Sequence, residues 1–260
     1  MQDDYENVTL VNVSGIYDEQ PLFIDKLKKG GAGVIDAVSM TGTNGYCDDM
    51  AKENFREMMK EYPTKGIHFI DGGNYHYLTL LWLSLIEEPF DLIVFDNHSD
   101  MQKPAFGDVL SCGGWIRNLV EDSGFKGKVT VVGVDKDNID KEMKELGVKF
   151  ITKQTILKKR GQQYGLENEL IDKCWTGKRP VYISVDKDVL DEKEYKTNWN
   201  QGIMSVDELF AIIEDTFEMR KVIGMDICGE MDEAVNSEFG SIYNEINQAV
   251  NMRFLKFRIS

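Results

Sequence analysis

Histidine, cysteine and proline are scarce in this chain: its 260 residues include 3 His, 4 Cys and 5 Pro. No two cysteines form a CxxC pair, so neither a zinc knuckle nor a redox dithiol is indicated, and reduced thiols in a cytosolic protein are expected. Positive charge is also in short supply, because 30 Lys and Arg stand against 45 Asp and Glu, which gives a formal net charge of −15. Nucleic acid and anionic membrane surfaces are therefore excluded as partners, since both are bound through clustered cations.

Long apolar runs are missing as well. The longest nearly apolar segment, residues 77–86, has about half of the ~20 residues that a membrane-spanning helix needs. The first residues, MQDDYENVTL, have neither the basic nor the apolar part of a secretory signal. The chain is nevertheless 42% hydrophobic and 10% aromatic, which is typical of a packed globular protein. We therefore expect a cytoplasmic protein.

Short β-branched and aromatic segments alternate with segments of helical period. Helices are predicted at 50–61, 78–88, 138–146 and 206–219, the last with a Ser205/Glu208 capping box. Strands are predicted at 8–13, 33–38, 67–71, 92–96, 129–134, 180–186 and 222–227, with a weaker one at 148–151. Most of these strands are continuous apolar runs, as in a parallel sheet covered on both faces. The alternation predicts an α/β architecture, and because no linker interrupts it, residues 1–260 are expected to form one domain.

Acidic residues and histidines follow three of the predicted strands. They are His76 after 67–71, Asp96, His98 and Asp100 after 92–96, and Asp186 and Asp188 after 180–186. Positions i, i+2 and i+4 of an extended backbone face one side, so the members of each set are expected to point together. Open parallel sheets bind ligands beyond the carboxyl ends of their strands. If the three strands are neighbours, all six side chains therefore converge on one cleft.

Four aspartates in one cleft repel one another strongly unless cations compensate them. Two divalent ions would cancel that charge. Oxygen donors with two imidazoles and no thiolate suit Mn²⁺, with Fe²⁺, Co²⁺ or Zn²⁺ as substitutes. Two ions about 3.5–4 Å apart can share a water and hold the resulting hydroxide as a nucleophile. Each motif alone also fits an ordinary structural role, because a single D-x-D often caps a loop and a single histidine often packs in a core.

Together the motifs resemble those of the ureohydrolases, the family of arginase, agmatinase and formiminoglutamase. The sequence D-N-H-S-D at 96–100 resembles the D-A-H-x-D signature, and residues 184–191 resemble S-x-D-x-D-x-x-D. Residues 72–76, GGNYH, are similar to G-G-D-H, and residues 224–227, GMDI, to G-L-D-I. The resemblance extends from about residue 65 to 230. It implies a three-layer α/β/α fold with a central, mainly parallel sheet.

The resemblance further implies a binuclear manganese centre. Asp96 and Asp186 would bridge the two ions. The other ligands would be His76 and Asp100 for one ion, and His98 and Asp188 for the second. The reaction implied is attack of a bridging hydroxide, steered by a hydrogen bond to Asp100, on a guanidino or amidino carbon, with an amine as the leaving group. A small cationic or amidino substrate and a trimeric or hexameric assembly are also implied.

The sequence departs from the family pattern around the metal ligands. GGNYH is one residue longer than G-G-D-H, so either His76 or Tyr75 stands at the ligand position, and we expect His76. Glu230 comes one residue later than the arginase carboxylate that grips the guanidinium. We expect it either to bind a cationic substrate or to be an acid at a helix start. Cys228 is expected to be a small buried hydrophobe, because no free histidine is near in sequence to activate it.

The resemblance further implies that protonation of the leaving group differs from that in arginases. Residues 101–115 contain no counterpart of the histidine that shuttles a proton in arginases, and the remaining histidine, His68, is expected to pack within its strand. Trp115 and Trp199 are expected either to wall the pocket or to lie in the core. These departures predict a divergent ureohydrolase whose substrate need not be arginine.

Three alternatives stay open at this level. One is a deacetylase or amidohydrolase on the same fold, although such enzymes use a pair of active-site histidines that this chain has no obvious means to supply. A second is a two-metal phosphoesterase, which also needs more histidine. The third is a pseudoenzyme that keeps a metal without turnover. The C-terminal segment 253–259 is expected to be a subunit contact or an edge strand.

Overall fold

The protein is described by a computed structural model that covers residues 4–104, 107–122, 124–161, 165–232 and 240–259. Its strands are β1 Val8–Asn12, β2 Gly33–Asp36, β3 Tyr46–Cys47, β4 Ile67–Phe69, β5 Asp91–Phe95, β6 Leu110–Ser111, β7 Val129–Val132, β8 Lys149–Ile151, β9 Val181–Asp186 and β10 Val222–Cys228. Eight of them form one sheet in the order β2-β1-β4-β10-β9-β5-β7-β8. Every pairing in that sheet is parallel. The two short strands β3 and β6 pair antiparallel outside it.

Helices cover both faces of the sheet. They are α1 Pro21–Lys29, α2 Asp49–Met59, α3 Leu78–Leu83, α4 Trp115–Glu121, α5 Lys141–Glu145, α6 Lys153–Lys159, α7 Gly165–Leu170, α8 Val206–Met219 and α9 Gly240–Phe254. One apolar core joins the sheet to α1, α6, α7, α8 and α9, and a second joins it to α2, α3, α4 and α5. The fold is therefore the three-layer α/β/α arrangement that was predicted.

Strand β5 shows why the sequence of this sheet lacks alternation. Ile93 and Phe95 lie in the first core, whereas Leu92 and Val94 lie in the second. A strand with a core on each face has no solvent-facing side, so residues 92–95 form a continuous apolar run, and the one polar residue of β5, Asp91, is buried in an ion pair with Arg220. The eight predicted strands of the large sheet are confirmed, with ends that differ by one to two residues.

Helix α8 begins and ends at the predicted residues, and its capping box is present. The Glu208 amide donates to Ser205 Oγ over 3.0 Å, and the Ser205 amide donates to Glu208 Oε2 over 2.9 Å. The predicted edge strand at 253–259 is wrong, because this segment is the end of α9 and the turn after it. Its apolar side chains, among them Phe254 and Phe257, are buried in the first core of the same chain.

The strand order positions the candidate site. Strands β4, β10, β9 and β5 are consecutive neighbours in the sheet, so their carboxyl ends meet at one edge. The three strand ends that carry the predicted ligands belong to β4, β5 and β9, and β9 lies beside β5. Within the described part of the chain, no helix combines the length and apolar character needed to cross a membrane.

Candidate metal centre

The segment after β5 folds as a turn and not as an extended strand. The His98 amide donates to Asp96 Oδ1 over 2.5 Å, and Asp100 adopts a left-handed backbone with φ of 48°. The expectation that an extended backbone would align these residues is therefore wrong. Their side chains still converge on one point, because the backbone turns between Asp96 and Asp100.

The segment after β9 is also a tight turn. The Asp186 side chain caps a single 3₁₀ turn, Lys187–Val189, and accepts a hydrogen bond from the Asp188 amide over 2.9 Å. Asp188 Oδ1 in turn accepts a hydrogen bond from the Asn97 amide over 2.9 Å. This bond ties the turn after β9 to the turn after β5 and fixes the relative positions of the two aspartate motifs.

His76 reaches the same point from the end of β4. A 3₁₀ turn, Gly73–Tyr75, absorbs the extra residue of the GGNYH motif. His76 Nδ1 lies 3.0 Å from Asp100 Oδ2, 3.3 Å from Asp96 Oδ2 and 3.6 Å from Asp186 Oδ2. The structure thus brings His76, and not Tyr75, to the carboxylates.

His98 approaches the carboxylates from the solvent side. Its Nδ1 lies 2.7 Å from Asp188 Oδ2 and 3.6 Å from Asp96 Oδ1. All six predicted ligands therefore lie together. Five of them form two groups with donor atoms spaced closely enough to hold an ion, and the sixth, Asp186, is grouped with His76 and Cys228. The inner group is His76, Asp96 and Asp100, and the outer group is Asp96, His98 and Asp188. Asp96 belongs to both groups.

The electrostatics of the cluster call for cations. Burial raises the pKa of Asp186 to about 7, and the charges of Asp188 and Asp96 add to the shift. Burial likewise raises the pKa of Asp188 to about 6. Burial lowers the pKa of His98, but its hydrogen bond to Asp188 and the nearby Asp96 outweigh this effect and raise the pKa to about 11. The pKa values of Asp186 and Asp188 are thus raised first by burial and then by neighbouring aspartates, so a bound cation would stabilise both carboxylates in their charged form.

Two buried atoms at the centre have no hydrogen-bond partner among the described residues. They are His76 Nδ1 and Asp96 Oδ2, and both side chains are 1% exposed. His76 Nδ1 is close to Asp100, but the arrangement is not that of a hydrogen bond. Buried polar atoms normally have hydrogen-bond partners, and an ion that binds at the site is one accepted explanation for a buried atom that has none. Nitrogen and carboxylate donors aimed at one point fit a divalent metal.

A hydrogen-bond chain beneath His76 determines which of its ring nitrogens faces the carboxylates. Ser184 Oγ donates to Asp226 Oδ1 over 2.7 Å, so the hydroxyl is left to accept from His76 Nε2, 2.9 Å away. Thr79 Oγ1 donates to the same Asp226 oxygen over 3.1 Å. With its proton on Nε2, the imidazole presents the Nδ1 lone pair to the centre, as a metal-binding histidine does.

Trp115 holds the carboxylate of Asp100. Its side chain is fully buried, and Nε1 donates to Asp100 Oδ2 over 2.7 Å. Its ring also lies 5.0 Å from the ring of His76. Trp115 is therefore a core residue, one of the two roles expected from the sequence. Its polar contact with Asp100 could not be predicted, because no local pattern shows where an indole N–H points.

A cavity of about 160 Å³ opens above the centre. Its lining comprises Gly45, Gly73, His98, Asp100, Gln102, Ser111, Cys112, Gly113, Asp186, Asp188 and Trp199. Trp199 is 42% exposed and packs edge-on to His98, with ring centroids 5.7 Å apart. Of the two tryptophans considered, Trp199 therefore forms part of the pocket wall and Trp115 does not. No Lys or Arg is present among the described lining residues, so His98 is the basic side chain beside the carboxylates there.

Glu230 does not line this cavity. Gly229, with φ of 86°, turns the chain after β10, and a Cβ at this position would lie 2.5 Å from Asp186 Oδ1. Beyond the turn, Glu230 is 0% exposed and pairs with Lys187, while Gln20 Nε2 donates to Glu230 Oε2 over 2.8 Å. The predicted contact between Glu230 and a substrate is therefore not supported, because both carboxylate oxygens are engaged inside the protein.

His68 is the third histidine, and it packs as predicted. It is fully buried in β4 and stacks on Trp82, with ring centroids 3.9 Å apart. Its Nδ1 lies 3.0 Å from Tyr182 Oη, and its Nε2 lies 3.0 Å from the Pro63 carbonyl oxygen. Both ring nitrogens are occupied, so His68 is not available as a proton shuttle.

Comparison with known proteins agrees with this fold and site. The sequence model described as "Arginase family" matches residues 31–231. A protein of Thermotoga maritima described only as uncharacterized is 30% identical over 227 residues, which cover 87% of this chain and 80% of that protein. The chain therefore belongs to the arginase family.

Solved structures of that family share the fold. Formimidoylglutamase of Bacillus subtilis superposes with a TM-score of 0.67 at 16% identity, over 96% of this chain and 87% of that chain. A hypothetical agmatinase of Burkholderia thailandensis gives 0.65 at 19% identity, over 98% and 88%. Formiminoglutamase of Trypanosoma cruzi with Mn²⁺ gives 0.66 at 14% identity, over 98% and 94%. The protein thus has an arginase-family hydrolase fold with residues placed to hold metal.

Proposed function

We propose that this protein is a binuclear metallohydrolase that cleaves a guanidino or amidino C–N bond. The observation that carries the proposal is the convergence of His76, Asp96, Asp100, His98, Asp186 and Asp188 at one sheet edge, with His76 Nδ1 unpartnered among the described residues. Mn²⁺ is the expected metal, and the Mn²⁺ in the Trypanosoma cruzi formiminoglutamase structure supports it. Fe²⁺, Co²⁺ or Zn²⁺ are the substitutes that suit the same donors.

The ligand assignment follows the two groups and adds Asp186, whose Oδ2 lies 3.6 Å from His76 Nδ1. His76 and Asp100 would hold an inner ion and His98 and Asp188 an outer one, with Asp96 and Asp186 between them. When bound, two divalent ions would supply activation of a water molecule for attack on the carbon of the substrate. The proposed role of Asp100 is to accept a hydrogen bond from that water once it is activated, and its position in the cavity lining, near His76, supports this role.

The cavity supports a small substrate headgroup. Its volume of about 160 Å³ is below the ~300–1,000 Å³ of sites for drug-sized ligands. The carboxylates of the centre favour a cationic or amidino group. The described lining offers Gln102 and Ser111 as uncharged hydrogen-bonding groups, and Trp199 as an aromatic wall that a planar cationic group can stack against. Glu230 has no part in this proposal.

The test is reconstitution with Mn²⁺, followed by measurement of urea, ammonia and amine release. The substrate panel is arginine, agmatine, guanidinobutyrate, guanidinopropionate, formiminoglutamate and an acetylamide series. Asp96→Asn and Asp186→Asn should abolish turnover, whereas Asp49→Asn, whose side chain is 96% exposed, should not change it. Activity that survives in either ligand variant would refute the binuclear mechanism. Turnover of acetylamides alone would indicate a deacetylase, and two bound ions with no turnover on any compound would indicate a pseudoenzyme.

A further inference from the structure

A buried thiol borders the candidate metal centre. Cys228 ends β10, is 0% exposed, and pairs in register with Asp186 at the end of β9. Paired residues of neighbouring strands project to the same face of a sheet, so the thiol and the Asp186 carboxylate are directed to the same side. Cys228 Sγ, a carboxylate oxygen of Asp186 and a ring nitrogen of His76 all lie within 4.8 Å of one another.

The His76 ring provides a second, independent indication of a ligand here. Its Nδ1 is buried and has no hydrogen-bond partner among the described residues, while its Nε2 is already used by Ser184. Ligand atoms about 2.0–2.3 Å from a shared ion lie about 3–4.6 Å from one another, depending on the coordination geometry. The thiol, the imidazole and the carboxylate are therefore close to the spacing that a shared ion requires.

Cys228 stands apart from the other cysteines in this respect. Cys112 lines the cavity but belongs to none of the donor groups found among the described residues. Cys47 lies in β3 and Cys174 is buried, and neither belongs to a donor group among the described residues. The donor set expected from the sequence contained only oxygen and imidazole donors, and the fold adds Cys228 Sγ to it.

We propose that Cys228 is a protein ligand of the ion held by His76. This inference rests on the proposed function, because it requires a metal at the centre. Binding would release the thiol proton to solvent and leave the thiolate on the ion. Sulfur donors favour Zn²⁺, Co²⁺ or Fe²⁺, whereas Mn²⁺ prefers oxygen. The inner position therefore selects a softer metal than the outer position, where the donors are His98, Asp96 and Asp188.

The direct test uses Co²⁺ as a spectroscopic probe. The protein loaded with Co²⁺ should show a thiolate-to-cobalt charge-transfer band in the near ultraviolet. Cys228→Ser should lose the band, and the matched control Cys112→Ser should keep it. The same substitution should weaken Zn²⁺ and Co²⁺ binding at the inner position by about 10- to 100-fold, at least as much as loss of an outer-sphere partner. Mn²⁺ binding should change less.

A second measurement uses the unaltered protein, so its result does not depend on whether the Cys228→Ser variant folds. X-ray absorption at the zinc edge of the unaltered protein should show a sulfur neighbour at about 2.3 Å. Stoichiometric metal without a sulfur neighbour, or a charge-transfer band that persists in Cys228→Ser, would overturn the assignment of Cys228 and leave the proposed function standing. Failure to bind any metal stoichiometrically would overturn both.

Discussion

Lys187 and Glu230 form an ion pair in which neither side chain reaches solvent. Asn251 of α9 contacts both partners: its Oδ1 accepts from Lys187 Nζ over 3.0 Å, and its Nδ2 donates to Glu230 Oε1 over 2.7 Å. Because Lys187 lies between Asp186 and Asp188, the pair anchors the turn that carries two candidate metal ligands. None of the three residues lines the cavity.

Breaking this pair should destabilise the protein strongly. Lys187→Met or Glu230→Gln leaves one buried charge uncompensated, which typically costs about 3–5 kcal/mol. Urea unfolding should show this loss, whereas Asp207→Asn, which removes an exposed partner of Arg253, should change the unfolding midpoint little. A Glu230→Gln protein with unchanged stability and a raised KM would instead restore the substrate-binding role that the sequence suggested.

Replacement of His76 should reduce the metal content. His76→Ala removes the imidazole that faces Asp100 and Asp96, so we expect no more than one tightly bound ion per chain in place of two. Tyr75→Phe is the matched control and should keep both ions, since the tyrosine side chain is outside both donor groups. Metal per chain is measured by elemental analysis after gel filtration, and two retained ions in His76→Ala would remove this residue from the ligand set.

The hydrogen-bond chain beneath His76 should tune metal affinity without touching the metal. Ser184→Ala removes the acceptor that keeps a proton on Nε2, and loss of such a partner typically weakens binding by about 10- to 100-fold. Isothermal titration with Mn²⁺ provides the measurement, and Ser84→Ala, at the end of α3, is the control. Equal affinities in the two variants would show that Ser184 does not orient the ring.

His68 should make stability fall in acid. Burial lowers its pKa from an ordinary value near 6.5 to about 4. The folded state therefore binds the proton less readily than the unfolded state, so the contribution of His68 is fully present above pH 6.5 and is lost as the pH falls towards 4. The lost contribution approaches about 3 kcal/mol. Unfolding of His68→Gln and of the unaltered protein should converge in stability over this window, and parallel curves would contradict the shift.

The fold could be predicted because strands that are buried on both faces have continuous apolar sequences. Strands such as β5 have no solvent side, and helix α8 shows its start through the Ser205/Glu208 box. The candidate ligands could be predicted for a related reason. Parallel strands deliver whatever follows them to one edge, so Asp96 and Asp186 meet even though the backbone between the ligands turns in a way that the sequence did not indicate.

What escaped prediction depends on contacts between distant segments. The direction of Glu230 follows from one left-handed residue, Gly229, and from a lysine 43 positions earlier in the chain. The hydrogen bond from the Trp115 indole to Asp100 joins residues 15 positions apart, and its direction depends on how α4 packs. Cys228 reaches the centre through its register with Asp186 across two strands. None of these contacts produces a periodicity or a residue spacing that can be recognised in a single sequence.

The two candidate positions differ in their access to solvent. The His76 side chain is 1% exposed, the His98 side chain is 31% exposed, and only the latter lines the cavity. Of the inner group, Asp100 alone lines the cavity, whereas His98 and Asp188 of the outer group both do. An inner ion would therefore have the narrower path to solvent, and a chelator should remove the two ions in two kinetic phases, the outer one first. The metal content of a purified sample would then depend on how long the sample has been exposed to chelator.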